Sequence, residues 1–193
     1  ASVPCSYSTA ENMLTRAQVT KNDTLLLTGA SGGVGSAAIQ LAKARGARVI
    51  AVAGDKKQQS VRDAGADQAL VRGASLEAAL GENSVDVVID LVGGEDWPEL
   101  LTILTPFGRY AVSGAIAGPI VELDLRTLYL KDQRFLGCTV LDDGVFSRLV
   151  GLIEEGDIKP LLARSFALES LPEAQAFFLD KQFTGKLVID MAL

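Results

Sequence analysis

In the stretch TLLLTGASGGVGSAAIQLAKARG, residues 24–46, the first four of five glycines have the type and spacing to bind a phosphate. They follow three consecutive leucines and precede apolar residues that recur at helical spacing. A buried strand, a glycine turn and a helix in this order form the first unit of a dinucleotide-binding fold. Backbone N–H groups and the helix N-terminus in such a unit receive a pyrophosphate. The stretch therefore predicts a dinucleotide site at Gly29, Ser31, Gly32, Gly33 and Val34.

The residues after the next apolar run, RVIAVA at 48–53, bear on which dinucleotide is bound. Many NAD-preferring folds end this strand in an acid that binds the ribose 2′-OH, whereas this run ends in Ala53 and Gly54. Lys56 and Lys57 follow, and an ammonium group there could meet a 2′-phosphate. Alternatively the two lysines form a solvated surface pair and Asp55 binds the ribose hydroxyls. We expect NADP(H) rather than NAD(H), with Gly54 at the contact.

The sequence contains no histidine, the commonest general base and metal ligand. We therefore expect no catalytic residue within the chain. The acidic pairs at 142–143 and 154–155 show no arrangement typical of a catalytic dyad and are interpreted as solvated faces. Cys5 and Cys138 are far apart in sequence, so a structural disulfide is not expected, and Cys138 is interpreted as a core residue.

Charge and hydropathy exclude several classes of function. The 18 basic and 24 acidic residues give a net charge of −6, are mixed along the chain and form no basic stripe, which argues against nucleic acid or a membrane surface as partner. No run of 18 apolar residues occurs. We expect a soluble, cytoplasmic protein with a small-molecule substrate.

Strand and helix patterns alternate along the chain, with strands predicted at 25–27, 48–53, 69–71, 85–92, 109–113 and 134–140. This alternation predicts an α/β fold, a doubly wound parallel six-stranded sheet with helices on both faces. The first helix is predicted to be capped by Ser8 or Thr9. A helix at 145–155, an extended segment at 161–166, a helix at 172–179 and a strand at 186–191 follow. Trp97, Phe177 and Phe178 are interpreted as packing residues.

The motif TGASGGVG fits two families of dehydrogenases. Short-chain dehydrogenases also need a Tyr-x-x-x-Lys pair, and none of the three tyrosines has a lysine four residues later. The second pattern is the Ala-x-Gly-Gly-Val-Gly turn of the medium-chain dehydrogenase/reductase superfamily. The chain resembles the cofactor half of a zinc-type alcohol dehydrogenase or quinone oxidoreductase over essentially its whole length, in PCSYSTAENML, LTGASGGVGSAAIQLAKARGARVIAV, AGAD, DVVIDLVGG, FGRYAVSG and FTGKLVI.

This resemblance implies a Rossmann fold with flanking segments from an N-terminal catalytic domain that lies outside these residues. Residues 1–20 would be a linker and helix from that domain, residues 21–140 the dinucleotide-binding domain, and residues 141–193 a segment that returns toward the catalytic domain. Related cofactor domains pair through their sixth strands, so we expect a homodimer through residues 134–140, whose apolar edge would otherwise be exposed.

The resemblance also implies roles for individual residues. Cys5 would be the third ligand of a catalytic zinc whose other ligands lie in the absent domain; alternatively it is an incidental small residue in a zinc-free reductase. Lys57 is the better of the two lysines for the phosphate. Lys186 would reach the pyrophosphate, although it could be an ordinary exposed lysine. The remaining cofactor contacts would be Thr9, Val92, Gly93, Ser113, Gly114 and Val140, of which the glycines could equally serve ordinary turns.

These expectations together predict the cofactor-binding domain of an NAD(P)H-dependent oxidoreductase. The whole enzyme would transfer hydride between nicotinamide and an alcohol or carbonyl, with a possible zinc ion. The first alternative is a zinc-independent quinone or enone reductase. The second is a nucleotide-binding module that is inactive on its own.

Overall fold

The computed structural model describes residues 3–191. Six parallel strands form the main sheet, in the spatial order β3-β2-β1-β4-β5-β6. These strands are β1 Thr24–Leu27, β2 Arg48–Ala53, β3 Gln68–Val71, β4 Val85–Asp90, β5 Leu104–Val112 and β6 Arg134–Gly137. The helices along the chain are α1 Ser6–Arg16, α2 Gly33–Ala44, α3 Gln58–Asp63, α4 Leu76–Leu80, α5 Trp97–Ile103, α6 Leu125–Leu130, α7 Val145–Glu154 and α8 Leu171–Asp180.

Both faces of the central strand β1 are buried, which explains its unbroken run of leucines. Leu25 and Leu27 belong to a core that also contains residues of α1, α2, α3 and α7. Leu26 faces the opposite side and belongs to a second core with residues of α4 and α5. The predicted doubly wound sheet with helices on both faces is confirmed.

Helix α1 is tied to its neighbours through a buried carboxylate. Glu11 is 1% exposed, and its Oε1 accepts hydrogen bonds from Nη2 of Arg45 (2.7 Å) at the end of α2 and from Nε of Arg148 (3.1 Å) on α7. This ion-pair cluster fixes the position of α1, which carries Thr9 and follows directly on Cys5.

A second ion pair joins the start of the sheet to β5. Asp23 precedes β1 and accepts hydrogen bonds from the backbone N–H of Thr20 and from the guanidinium of Arg109. Burial alone would raise the pKa of Asp23, but these hydrogen bonds and the charge of Arg109 outweigh it and hold that pKa below its ordinary value.

The residues after α7 form a smaller unit in which β7, Leu162–Ala167, pairs in parallel with β8, Lys186–Asp190. The ring of Phe166 lies 5.9 Å from that of Phe177 on α8. Phe178 was predicted to pack but is 49% exposed, so that prediction is wrong. Its ring lies 6.1 Å from that of Phe183, and the ammonium group of Lys181 lies 3.3 Å from its centroid.

Several element boundaries also differ from the expected ones. Helix α1 begins at Ser6, so Ser8 and Thr9 lie inside it, and Ser8 Oγ donates to the carbonyl of Cys5 instead of capping the helix. Strands β4 and β6 end at Asp90 and Gly137, earlier than expected. The strands end there because side chains bind the backbone groups that follow. Asp90 accepts the N–H groups of Val92 and Gly93, and Asn12 donates to the carbonyl of Val140.

No helix within residues 3–191 is long and apolar enough to cross a membrane.

Candidate functional site

The strand order of the main sheet reverses direction between β1 and β4. In open α/β sheets, ligands bind in the crevice at the carboxyl ends of the strands, at this switch point. Thr28 follows β1 and Asp90 ends β4, so the loops that begin at these two residues form the edge of the crevice.

The glycine turn after β1 is tight and packs closely against the start of α2. Gly29 has a φ of +60°, a conformation that favours glycine, and its carbonyl accepts the N–H of Gly32 at 3.0 Å. Gly32 is exposed directly before α2, where the first N–H groups of the helix point outward. A Cβ atom at Gly35 would lie 2.3 Å from the carbonyl oxygen of Gly29. Gly29 thus forms the tight turn, Gly35 allows the contact between helix and turn, and Gly32 leaves the start of the helix open, as in folds that bind dinucleotides.

Two distant segments meet this turn at Gly33. A Cβ atom there would lie 2.8 Å from Cδ of Lys186, at the start of β8, and 2.8 Å from Oγ of Ser6, at the start of α1. Lys186, the predicted pyrophosphate contact, therefore lies over the glycine turn, and its role toward a pyrophosphate stays a prediction. Thr9, half-buried, lies one turn further along α1 from Ser6.

The loops after β4 and β5 line the same crevice. A Cβ atom at Gly29 would lie 3.2 Å from Cγ2 of Val92, so the Val92 side chain lies against the glycine turn. Gly93 has a φ of +63°. The N–H of Ser113 donates to the last carbonyl of β4 (3.1 Å), and a Cβ at Gly114 would lie 2.6 Å from the backbone oxygen of the residue after β4. The structure thus brings the predicted residues of these two loops together beside the turn.

A buried hydrogen-bond network fixes the loop after β4, and the sequence analysis did not identify it. Asp90 is fully buried, and its Oδ1 accepts the hydroxyl of Thr28 (2.6 Å) and the N–H of Val92 (2.9 Å). The N–H of Gly93 also donates to it (3.1 Å to Oδ1), and the phenol of Tyr110 donates to its Oδ2. Burial, together with the hydrogen bond and charge of Asp90, raises the pKa of Tyr110 well above its ordinary value, so the phenol keeps its proton.

Arg72 and Lys57 lie near the carboxyl end of β2, and the charge of a third cation, Lys181, acts on Lys57. A Cβ at Gly54 would lie 3.4 Å from Nη2 of Arg72, and Nζ of Lys57 donates to the carbonyl of Phe183 at 2.9 Å. Burial, and then the charges of Arg72 and Lys181, lower the pKa of Lys57. In the described part of the chain, none of the three cations forms an ion pair.

Cys5 is exposed, has a φ of 69° and lies immediately before α1. Within residues 3–191, no three His, Cys, Asp or Glu side chains are grouped so that they could hold a metal ion. The donors of the described residues therefore do not form a zinc site by themselves.

Two predicted residues near α1 have different surroundings. Cys138 is buried, as expected, and its N–H donates to the carbonyl of Val112. Val140 is 77% exposed, and its carbonyl accepts from Nδ2 of Asn12 at 3.0 Å. This bond draws the chain toward α1 and explains why β6 ends early.

Comparison with known proteins agrees with this geometry. Residues 33–155 match the family described as zinc-binding dehydrogenase. The chain belongs to this family. It corresponds to the cofactor-binding half of a medium-chain dehydrogenase/reductase, as the sequence analysis predicted.

Individual relatives place the family match in context. Acryloyl-coenzyme A reductase of Metallosphaera sedula is 34% identical over 97% of this chain and 56% of its own length. A structure from Sinorhizobium meliloti 1021, provisionally described as an alcohol dehydrogenase, is 50% identical with a TM-score of 0.89 and covers 96% of this chain and 53% of its own. A cobalt- and zinc-bound thermostable alcohol dehydrogenase from Pyrobaculum aerophilum is 32% identical with a TM-score of 0.85, covering 98% and 57%. The chain spans just over half the length of these proteins.

Proposed function

We propose that this chain is an NADP(H)-binding domain that holds the nicotinamide at the switch point between β1 and β4. The observation that carries the choice of NADP(H) is the presence of Lys57 and Arg72 near the carboxyl end of β2, with Lys181 acting on Lys57, and with no carboxylate partner for these cations among the described residues. A strand end that binds NAD(H) commonly carries an acid for the ribose hydroxyls. Cations that pair with no carboxylate of the described residues instead fit a phosphate dianion.

Within this proposal, each group of residues has a physical task. The glycine turn and the N-terminus of α2 bind the pyrophosphate through backbone N–H groups, and Lys186 supplies a positive charge above it. The loops at Val92–Gly93 and Ser113–Gly114 shape the pocket beside the turn. The bound cofactor supplies the hydride, and the protein supplies its position and electrostatic surroundings.

The whole enzyme, in this proposal, transfers hydride between the nicotinamide and an alcohol or carbonyl of a small molecule. The similarity to a cobalt- and zinc-bound alcohol dehydrogenase supports this reaction. In a zinc-dependent version Cys5 would donate its exposed thiolate to a metal whose other ligands come from outside the described residues. The similarity to acryloyl-coenzyme A reductase favours a second candidate, a metal-free reduction of a conjugated carbon–carbon bond.

A titration of the protein with NADPH and NADH tests the cofactor assignment. We expect NADPH to bind about 10- to 100-fold more tightly, because charged hydrogen bonds each contribute about 1.5–3 kcal/mol. Lys57→Ala and Arg72→Ala should each reduce this preference, whereas Lys56→Ala, a matched removal of the neighbouring exposed lysine, should leave it unchanged. Equal affinities for NADPH and NADH in the unmodified protein would refute the assignment to NADP(H).

We also propose that the protein forms a homodimer through β6. This strand is the edge of the main sheet and carries the half-buried Phe135 and Leu136. A bare edge of this kind can pair with the same edge of a second copy about a twofold axis. Light scattering at tens of micromolar protein should give twice the chain mass, and a monomeric mass would contradict the proposal.

Finally, we propose that these 193 residues bind nucleotide without turning over substrate, because the chain spans just over half the length of its relatives. NADPH oxidation by the chain alone, measured with common aldehydes and quinones, should stay at the rate seen without protein. A rate that depends on protein concentration would contradict this.

A further inference from the structure

The buried carboxylate of Asp90 accepts hydrogen bonds at both of its oxygens. It accepts only from neutral groups, namely the hydroxyls of Thr28 and Tyr110 and the backbone N–H groups of Val92 and Gly93. Among the described residues, no lysine or arginine forms an ion pair with it. These donors satisfy its oxygens, but neutral dipoles do not cancel a unit charge at a distance.

Asp90 lies at the edge of the sheet where the crevice is found. Asp90 ends β4, and Thr28, its hydrogen-bond donor, follows β1, so the carboxylate lies at the switch point itself. The loop Val92–Gly93 lies between the carboxylate of Asp90 and the crevice. The N–H groups of this loop lie 2.9 and 3.1 Å from Oδ1 of Asp90. Asp90 is 0% exposed, so the surrounding residues shield its carboxylate from bulk solvent.

We propose that Asp90 selects the redox form of the bound cofactor, binding the positively charged oxidised nicotinamide more tightly than the neutral reduced ring. This inference rests on the proposed function, because it requires the nicotinamide to occupy the crevice above the loop. The oxidised and reduced cofactors differ by one positive charge on that ring. A buried carboxylate beneath it therefore stabilises one form selectively, and at an effective dielectric constant of about 20 a unit charge roughly 10 Å away changes a binding constant about ten-fold.

The test compares the dissociation constants of NADP⁺ and NADPH in one protein, by calorimetry and by NADPH fluorescence at pH 8. Asp90→Asn keeps the shape of the side chain and removes the charge, so the ratio Kd(NADP⁺)/Kd(NADPH) should rise about ten-fold. Loss of structure alone would weaken both forms alike and leave the ratio unchanged. Asp86→Asn is the matched control, because Asp86 lies at the opposite end of the same strand, where it accepts the N–H of Thr24. Its ratio should equal that of the unmodified protein.

Asp90→Ser gives an independent readout if Asp90→Asn does not fold. It removes the same charge and keeps an oxygen that can accept a hydrogen bond from the loop, so the ratio should again rise about ten-fold. A ratio within twofold of that of the unmodified protein in a folded Asp90→Asn, or in Asp90→Ser where that variant must substitute for it, would overturn the inference. If the unmodified protein binds neither NADP⁺ nor NADPH, the proposed function itself fails. Binding with an unchanged ratio removes only the role of Asp90.

Discussion

The contact between helix α2 and the glycine turn yields a sharp prediction for Gly35. A methyl group there would lie 2.3 Å from the carbonyl oxygen of Gly29, 2.6 Å from Cα of Ala30 and 2.7 Å from its carbonyl carbon. All three are backbone atoms, so no side chain can rotate away. The helix and the turn must separate, at a cost of about 1–3 kcal/mol for overpacking. We expect Gly35→Ala to lower the free energy of unfolding by that amount and Tm by roughly 3–10 °C.

Gly151→Ala is the matched control, because Gly151 lies inside α7 and a Cβ atom there meets nothing within 4 Å. It should raise the free energy of unfolding by about 0.5–1 kcal/mol through helix propensity. Urea unfolding followed by circular dichroism measures both variants, with NADPH titrations alongside. Because the turn itself must shift, Gly35→Ala should also weaken NADPH binding at least ten-fold. A Gly35→Ala protein as stable as the parent, with unchanged affinity, would refute the reasoning from backbone contact.

Three further predictions concern groups away from the turn. Glu11→Gln should lower the free energy of unfolding by about 1–3 kcal/mol, measured in urea, because it removes the buried charge that two arginines bind. Asp23 has a lowered pKa in the folded protein, so its contribution is full above its unfolded pKa of about 3.9 and is lost as pH falls below that value. Asp23→Asn should therefore flatten the loss of Tm between about pH 5 and pH 2. Cys5 is exposed, whereas burial raises the pKa of the Cys138 thiol, so a thiol reagent at pH 8 should label one site rapidly. Cys5→Ser should abolish that rapid phase, and its persistence would contradict the assignment.

Much of the fold could be predicted because its signals are local. Strand β2 has the expected bounds, Arg48–Ala53. The apolar run between Gly46 and Gly54 is too short for a typical helix and therefore predicts a strand. The turn at Gly29 was readable for the same reason: the strand, the glycines and the helix are contiguous in sequence. The prediction for Phe178 is wrong because it rested on helical spacing alone. That spacing indicates a core face, but the small β7–β8 unit does not cover this side chain.

Residues missed in the site depend on contacts between strands. Arg72 follows β3, and it reaches Gly54 because Ala53 of β2 pairs with Val71 of β3. Aligning the ends of adjacent parallel strands would have found it, since both ends lie at the ligand edge of the sheet. Asp90 was read only as part of the strand 85–92, although an acid within such an apolar run signals a buried carboxylate that needs donors. Its partners Thr28 and Tyr110 come from two other strands, and no local pattern identifies them.

The segment from Phe183 to Lys186 explains how the C-terminal unit contributes to a site built mainly by the first half of the chain. Its carbonyl at Phe183 binds Lys57, its Thr184 hydroxyl lies 2.9 Å from that of Ser60, and Lys186 covers Gly33. One short segment thus contacts both the 2′-phosphate end and the pyrophosphate end of the proposed cofactor site. The Lys57 ammonium group has three N–H donors and gives one of them to the Phe183 carbonyl, so two remain for a 2′-phosphate. In the proposed complex the same lysine would therefore hold both the cofactor and this segment, which couples the choice of cofactor to the position of the C-terminal unit.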